Sequence, residues 1–407
     1  MQLARIGATP RGGVCRLALT AEDAAGRDQF VAWAREAGCT IEVDRIGNIF
    51  ARRAGADPAR APVMTGSHLD TQPTGGKFDG NYGVLAGLEV VRTLNDLGIY
   101  TQAPIEIAVW TNEEGSRFVP VMMGSGVFTG VFALDEVLVQ VDRDGISVRD
   151  ALAAVGYAGE HAPGHPVAAY FEAHIEQGPV LEHHGDVIGA VTGALGQTWY
   201  DLEIMGMEAH AGPTPMETRR DALVVASRLV ARVNEIALAH APNARGTVGF
   251  VDVFPNSRNV IPGRVRMTVD FRSDSEEGLR RMDAELQQAC RDLERPNEIG
   301  IALKTVVNFP PRPFDAGLVD RVREAARAIG LPQRDIVSGA AHDAVHLAQQ
   351  VPAAMIFVPC RDGISHNEIE DAQPEHLEAG CNVLLEVMLQ EAGIALAEQA
   401  VSVAEGA

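Results

Sequence analysis

The chain has few cysteines and few basic residues, and it lacks the long apolar runs of a membrane protein. Its five cysteines are an odd number, lie far apart and form no Cys-x-x-Cys pair, which argues against a disulfide framework and a thiolate zinc site. No stretch reaches the roughly 18 apolar residues that span a bilayer, and the first residues have no apolar core of signal-peptide length. We therefore expect a cytoplasmic protein.

Basic residues are outnumbered by acidic ones, 34 to 55, so the formal net charge is −21. On Coulomb grounds this balance argues against a nucleic-acid or anionic-membrane partner. A negatively charged substrate would need a local arginine or metal ion to hold it. With 46% hydrophobic residues among 407, the chain can bury a large core, and its length is typical of two to three domains.

Two kinds of pattern divide the chain. Helical and strand-like stretches alternate up to about residue 110 and again from about residue 309, which predicts an α/β domain with a mostly parallel sheet. Between them, the order β-α-β-β-α-β is that of a ferredoxin-like α+β domain, which can close by itself. The simplest interpretation is a large domain of residues 1–195 and 309–407, interrupted by an inserted domain of residues 196–308.

Histidine and carboxylate residues follow four predicted strands of the large domain. The strands are Val63–Gly66, Ile105–Trp110, Ala168–Ala173 and Ala354–Val358, and the residues after them are His68, Asp70, Glu113, Glu114, His174 and His366. Because ligands bind outside the carboxyl ends of the strands in open α/β sheets, we expect these side chains to converge at one edge. Glycines on both sides of Asp79 let the backbone turn sharply, so that Asp79 returns to the same place.

These residue types are typical of a catalytic metal site. Imidazole and carboxylate ligands together suit zinc, manganese, cobalt or nickel and leave a position open for water. A carboxylate such as Asp79 can bridge two ions about 3.5–4 Å apart, and the carboxylate of Asp70 can accept the second N–H of His68. Of the adjacent Glu113 and Glu114, one can ligate metal while the other stays free as a general base. Each motif alone is more often a surface pair, but several at successive strand ends favour the metal site.

Three other features have structural alternatives. His210 lies at a turn and could cap the next helix, and Arg272 follows strand-like residues and could form a surface ion pair. Gly124-x-Gly126 with Gly130 is similar to a phosphate loop, but no preceding strand and no Lys-Ser/Thr pair accompany it. We interpret this glycine segment as a turn and not as a nucleotide site.

Nearly the whole chain resembles the M20-type metallopeptidase superfamily and, within it, the amidase/hydantoinase–carbamoylase branch. The motifs that carry the resemblance are Gly-Ser-His68-Leu-Asp70-Thr, Gly-Gly-Lys-Phe-Asp79-Gly, Asn-Glu113-Glu114-Gly-Ser-Arg117-Phe, Ala-His174-Ile-Glu-Gln177-Gly, Ala-His210-Ala-Gly-Pro-Thr-Pro, Asn259-Val-Ile-Pro, Asp-Phe-Arg272-Ser and Gly-Ile-Ser-His366-Asn. Peptidases of the superfamily usually carry a carboxylate at the position of His174. That histidine therefore indicates the carbamoylase branch.

The resemblance implies two divalent ions per subunit that share Asp79 as a bridging ligand. The two ligand sets that it implies are His68, Asp79 and His174, and Asp79, Glu114 and His366. Glu113 would be the general base and acid, and Asp70 would orient His68. We expect zinc, although manganese, cobalt or nickel would fit the same ligands.

The resemblance also implies that the inserted domain is a lid and the site of homodimerisation. Three residues of the inserted domain would then face the substrate. His210 would stabilise the oxyanion, Arg272 would bind a substrate carboxylate through two parallel hydrogen bonds, and Asn259 would also contact the substrate. Gln177 and His342 are further candidates for polar contacts with the substrate.

The reaction that the resemblance implies is hydrolysis of the ureido C–N bond of an N-carbamoyl-L-amino acid or N-carbamoyl-β-alanine. The products would be the amino acid, CO2 and ammonia, and the only expected partners are this small anionic substrate and a second copy of the chain. Three alternatives stay open: allantoate hydrolysis at the same site, an aminopeptidase or dipeptidase of the superfamily, and a non-catalytic ligand-binding protein.

Overall fold

The computed structural model describes residues 1–395, except the side chain of Asn297, and it contains two compact units. One unit comprises Met1–Thr192 together with the chain from Pro313 onward, and the other is Gly193–Arg312. The inserted domain was predicted at residues 196–308, so the observed unit begins three residues earlier and ends four residues later. The predicted end of the large domain at residue 407 lies outside the described residues.

The first part of the large unit contributes six strands and six helices. The strands are β1 (Thr40–Val43), β2 (Ile49–Arg53), β3 (Val63–His68), β4 (Ile105–Trp110), β5 (Ala169–Ile175) and β6 (Ile188–Ala194). The helices are α1 (Ala21–Glu36), α2 (Asn81–Asp96), α3 (Met123–Phe128), α4 (Leu134–Leu138), α5 (Val148–Val155) and α6 (Val180–His184). Thr20 caps α1 by accepting a hydrogen bond from the Asp23 amide, and glycines with positive φ, Gly38 and Gly98, follow the ends of α1 and α2.

The inserted unit has seven strands and two long helices. The strands are β7 (Gly196–Met205), β8 (Ala209–His210), β9 (Arg245–Thr247), β10 (Val251–Phe254), β11 (Val260–Ile261), β12 (Arg264–Ser273) and β13 (Gly300–Phe309). The helices are α7 (Ala222–Ala239) and α8 (Glu276–Asn297). Between residues 245 and 254 the chain forms two short strands, β9 and β10, rather than one continuous strand.

The last part of the chain returns to the large unit. Its elements are β14 (Arg312–Pro313), α9 (Ala316–Ala328), β15 (Gln333–Ser338), α10 (Asp343–Leu347), β16 (Ala353–Val358), a 3₁₀ turn (Arg361–Gly363) and α11 (Pro374–Ala392). In the described part of the chain, no helix is both long enough and apolar enough to cross a bilayer.

The central sheet of the large unit has the strand order β1-β2-β4-β3-β5-β16-β6-β14, with β15 beside β6. Its four middle strands, β4, β3, β5 and β16, are parallel, whereas β1, β2 and β6 pair with antiparallel neighbours. Every residue of the four middle strands is buried, as expected where helices cover both faces. The predicted α/β fold with a mainly parallel sheet is confirmed, and the carboxyl ends of these strands meet at one edge.

The sheet of the inserted unit is antiparallel, in the order β10-β12-β7-β13, with β9 beside β12. Alternate residues such as Tyr200, Leu202 and Ile204 are buried in a separate hydrophobic core that includes residues of α7 and α8. Strand order and connection together give the predicted β-α-β-β-α-β arrangement.

Candidate metal centre and active site

Asp79 is the side chain on which the predicted ligands converge. Its Oδ1 lies 3.7 Å from His68 Nε2 and 3.2 Å from His174 Nε2. Its Oδ2 lies 3.2 Å from His366 Nε2, which in turn lies 3.3 Å from Glu114 Oε2. The structure therefore brings all five predicted metal ligands together, with one oxygen of Asp79 facing each half of the cluster.

Strand ends and tight turns carry these ligands. His68 is the last residue of β3, and Asp79 precedes α2 at a turn where Gly80 has φ +65° and touches the His68 ring so closely that a Cβ would meet it at 2.4 Å. His174 lies inside β5, so the predicted strand, which stopped at Ala173, ended too early. His366 has φ +54°, which is uncommon for a non-glycine residue and is typical of functional sites.

Two groups of donor atoms that include Asp79 are close enough to hold metal ions. We name them the buried triad, which is His68, Asp79 and His174, and the exposed triad, which is Asp79, Glu114 and His366; in each group the ligand atoms lie within 4.8 Å of one another. Imidazole nitrogens and carboxylate oxygens are the donors that zinc and similar divalent ions prefer. The residues present thus fit divalent metal ions.

Asp70 supports the centre differently from the prediction. The second nitrogen of His68, Nδ1, donates to the backbone carbonyl of Asp70 at 2.8 Å, whereas the Asp70 carboxylate is 3.9 Å away. That carboxylate instead accepts the backbone N–H groups of Glu113 at 3.3 Å and of Glu114 at 3.2 Å. The expected carboxylate–histidine bond is wrong, and Asp70 links the β3 segment to the two glutamates.

Glu113 lies beside the buried triad without belonging to either ligand group. Its Oε2 is 3.4 Å from His68 Nε2, and the residue is only 8% exposed. Burial, followed by the charges of Asp343 and Glu114, raises the pKa of Glu113 well above its usual range. A carboxyl group whose pKa is raised in this way is suited to proton transfer.

The histidines of the centre have pKa values set by burial and by Asp79. Burial lowers the pKa of His68 to about 4. Burial acts on His174 in the same direction, but the hydrogen bond and charge of Asp79 outweigh it and raise that pKa to about 9. The hydrogen bond to Asp79 also raises the pKa of His366 to about 9. Asp79 is therefore the electrostatic partner of a histidine in each triad, His174 in the buried triad and His366 in the exposed triad.

A second group of residues holds Asp79, and the sequence did not reveal most of it. Gln177 Nε2 donates to Asp79 Oδ2 at 2.9 Å, so this predicted substrate contact is a neighbour of the Asp79 carboxylate. Ser365 Oγ lies 2.9 Å from Asp79 Oδ2 and 2.9 Å from Glu370 Oε2. The buried Glu370 also accepts the backbone N–H groups of Phe78 and Asp79, at 2.8 and 3.1 Å.

Arg16 is a further residue that the sequence did not reveal. Its guanidinium is fully buried and donates to the Leu69 carbonyl at 2.7 Å and to Asn81 Oδ1 at 2.5 Å. It also donates to the backbone carbonyls of Leu3 and Ile6. Arg16 therefore ties the amino-terminal segment to the residues next to His68 and Asp79.

His342 is buried behind the centre. Its ring centroid lies 4.5 Å from that of His174, and its Nε2 is 3.0 Å from Ser338 Oγ. Its ring also joins Glu172 and His174 in a third group of potential ligand atoms within 4.8 Å of one another. Glu172 was not predicted, although its position two residues before His174 in a strand places both side chains on one face.

In the inserted unit, two of the three predicted substrate residues lie together. His210 on β8 pairs with Val260 on β11, and the carbonyl of the adjacent Asn259 accepts the Ala211 N–H at 2.8 Å. His210 is exposed, and its Nδ1 accepts the Gly212 N–H rather than capping α7, which Asp221 caps. Arg272 on β12 forms an ion pair with Asp270, 2.9 Å between Nη2 and Oδ2, which was the alternative considered for it.

Comparisons with known proteins cover nearly the whole chain. The model of peptidase family M20/M25/M40 matches residues 64–390. The chain is 46% identical over 399 residues to the N-carbamoyl-L-amino-acid amidohydrolase of Rhizobium meliloti, which covers 97% of this chain and 95% of that protein. It is 33% identical over 389 residues to the allantoate amidohydrolase of Bacillus subtilis, which covers 95% and 94%, respectively.

A solved structure is similar to this chain over nearly its whole length. The amidase of the hydantoinase/carbamoylase family from Burkholderia multivorans matches with a TM-score of 0.94 and 58% identity, and the match covers 96% of each chain. Sequence and fold thus agree on the relationship that the motifs indicate. The chain belongs to peptidase family M20/M25/M40, in its hydantoinase/carbamoylase branch, and is an amidohydrolase.

Proposed function

We propose that the protein hydrolyses the ureido C–N bond of an N-carbamoyl amino acid, using two divalent ions held by the buried and exposed triads. The observation that carries the proposal is the position of the Asp79 carboxylate. One of its oxygens faces the histidines of the buried triad and the other faces His366, while Glu113 belongs to neither triad. When bound, the two ions would activate a water molecule and polarise the scissile carbonyl. Zinc is the ion we propose first, because imidazole and carboxylate are among its preferred ligands.

Glu113 would carry the proton during hydrolysis. It takes a proton from the attacking water as the oxygen bonds to the carbamoyl carbon, and it passes this proton to the amino-acid nitrogen as the C–N bond breaks. The carbamic acid released then decomposes to CO2 and ammonia. Asp70 accepts hydrogen bonds from the backbone N–H groups of Glu113 and Glu114, which fixes the position of the proposed base relative to the proposed ligand.

The inserted unit would recognise the substrate and form a homodimer. We propose that Arg272 exchanges its Asp270 partner for the substrate carboxylate, since a guanidinium can hold a carboxylate through two parallel hydrogen bonds. His210 and Asn259, which lie together, would contact the oxyanion and the carboxylate end. Gln177 and His342 would add polar contacts from the large unit.

Glu113→Gln tests the role of the base. We expect this variant to bind two ions like the unchanged protein and to lose about 10²–10⁴-fold in turnover, because the amide cannot accept the proton. The measurements are zinc content and the rate of amino-acid release from N-carbamoyl substrates. Glu36→Gln, at an exposed position at the end of α1, is the matched control and should keep full activity. Full turnover in Glu113→Gln would show that another group is the base.

Allantoate is the second candidate substrate, because it carries the same ureido group and the allantoate amidohydrolase of Bacillus subtilis is 33% identical. A panel of N-carbamoyl-β-alanine, several N-carbamoyl-L-amino acids and allantoate separates these substrates. Cleavage of dipeptides would support the peptidase alternative instead. Turnover that disappears with a chelator and returns with zinc would exclude a non-catalytic binding protein.

A further inference from the structure

Gln72 contacts Glu114, the ligand of the exposed triad, through two separate groups. Its side-chain Nε2 donates to Glu114 Oε2 at 2.6 Å, and its backbone N–H donates to Glu114 Oε1 at 3.1 Å. The other end of the Gln72 amide, Oε1, accepts a hydrogen bond from Ser116 Oγ at 2.7 Å. Gln72, Glu114 and Ser116 thus form a short chain of hydrogen bonds.

The carboxylate of Glu114 determines the direction of this chain of hydrogen bonds. A carboxylate that ligates a metal ion is ionised and can only accept hydrogen bonds, so the NH2 end of the Gln72 amide faces Glu114. The carbonyl end then faces Ser116, whose hydroxyl donates to it. A flipped amide would place its oxygen against the carboxylate and lose the bond to Glu114, whereas the Ser116 hydroxyl can donate or accept and would bond to either end of the amide. Glu114 therefore sets the orientation of the Gln72 amide, and Ser116 holds its far end in place.

The position of Glu114 decides whether the exposed triad is ready for an ion. Its Oε2 is 3.3 Å from His366 Nε2, and this oxygen takes the amide hydrogen bond while lone-pair capacity remains for an ion. The side chain is 5% exposed, although that of His366 is 51% exposed. Without the Gln72 side chain, the Glu114 carboxylate would keep the bond from the Gln72 backbone on Oε1 and lose the amide bond on Oε2.

We propose that Gln72, held in place by Ser116, is a positioning residue that presets Glu114 and so increases the affinity of the exposed triad for its divalent ion. The inference rests on the proposed two-ion function, because it needs an ion at the exposed triad. It requires an effect on one ion and not on the other, since the side-chain hydrogen bonds of Gln72 are to Glu114 and Ser116, which lie outside the buried triad. Residues that orient ligands typically contribute 10–100-fold in affinity.

The test is calorimetric titration of chelator-treated protein with Zn²⁺. Gln72→Met keeps the length of the side chain and the backbone bond but removes both amide contacts. We expect one of two binding steps to weaken by roughly 10–100-fold and the other to stay within about twofold. The weakened step should be the one that is missing in His366→Ala. Ser116→Ala should weaken the same step less, and the double variant should match Gln72→Met because Ser116 acts through Gln72.

The matched control is Gln390→Met on α11, where Nε2 donates to the Glu386 carboxylate at 2.8 Å on the surface. It should leave both steps unchanged. Equal weakening of both steps by Gln72→Met, or no change in either, would overturn the inference while the proposed function stands. A parent protein that binds two ions but cleaves no ureido substrate would overturn the proposed function alone. Binding of fewer than two ions would overturn both.

Discussion

The buried and exposed triads are the two halves of the candidate metal centre; they share Asp79 but are built differently. In the buried triad, His68 and His174 are 2% and 1% exposed, and both lie on neighbouring strands of the central sheet. In the exposed triad, His366 is 51% exposed, and both it and Glu114 lie on segments beyond strand ends. The buried half is therefore positioned by the sheet itself, whereas the exposed half depends on side-chain hydrogen bonds from residues such as Gln72.

The largest expected effect distinguishes the histidines of the two halves. His174→Ala and His366→Ala should each lose one ion and more than about 10²-fold in turnover, the cost of losing one strong electrostatic contact to a transition state. Free imidazole should restore part of the activity of His366→Ala, because that position is open to solvent, but none to His174→Ala. The loss of an ion is measured as zinc content, and the rescue is measured as turnover with and without imidazole. Equal rescue of both variants would contradict the comparison.

An intermediate effect is expected from slow removal of metal. The ion of the exposed triad should leave first, because half of the His366 side chain is exposed and the buried ligands are closed off. Zinc content during dialysis against a weak chelator should fall from two ions per chain to one before it falls to none, and activity should follow the first loss. Simultaneous loss of both ions would show that the two halves do not differ in access.

The smallest effect is expected at Ser365, which holds the oxygen of Asp79 that faces the exposed triad. Ser365→Ala removes a hydrogen bond to a buried carboxylate and should lower the free energy of unfolding of the metal-free protein by about 1.5–3 kcal/mol. Urea denaturation measures the change. Ser227→Ala on the exposed surface of α7 is the control and should change it by less than about 0.5 kcal/mol. Equal effects of the two variants would show that Ser365 has no special role.

The convergence of the candidate ligands could be predicted because one rule of α/β sheets places them. The alternation of helical and strand-like stretches identified the four middle strands, and the carboxyl ends of parallel strands meet, so we expected the polar residues after them to come together. The function of Asp70 was predicted less well. A His-x-Asp motif does not tell whether the carboxylate or the backbone carbonyl of the aspartate accepts the histidine N–H, and here the carbonyl does.

The residues that support the ligands could not be predicted, because their partners are distant in the chain. Gln72 and Glu114 are 42 residues apart, and Glu370 and Phe78 are 292 apart. A glutamine or glutamate in a loop carries no periodic signal, and its hydrogen bonds exist only once the segments have folded together. Sequence patterns therefore predicted which side chains come together at the centre, and tertiary contacts decide how firmly each half is held.

Arg16 has a practical consequence for handling the protein. Its buried guanidinium joins the carbonyls of Leu3 and Ile6 to Leu69 and Asn81, the neighbours of His68 and Asp79. The amino-terminal residues thus belong to the framework of the catalytic centre, although they are remote from every ligand in sequence. A shortened chain that began after Arg16 would leave two acceptors, the Leu69 carbonyl and Asn81 Oδ1, without this donor. An affinity tag should therefore be added to the amino-terminal segment and should not replace it.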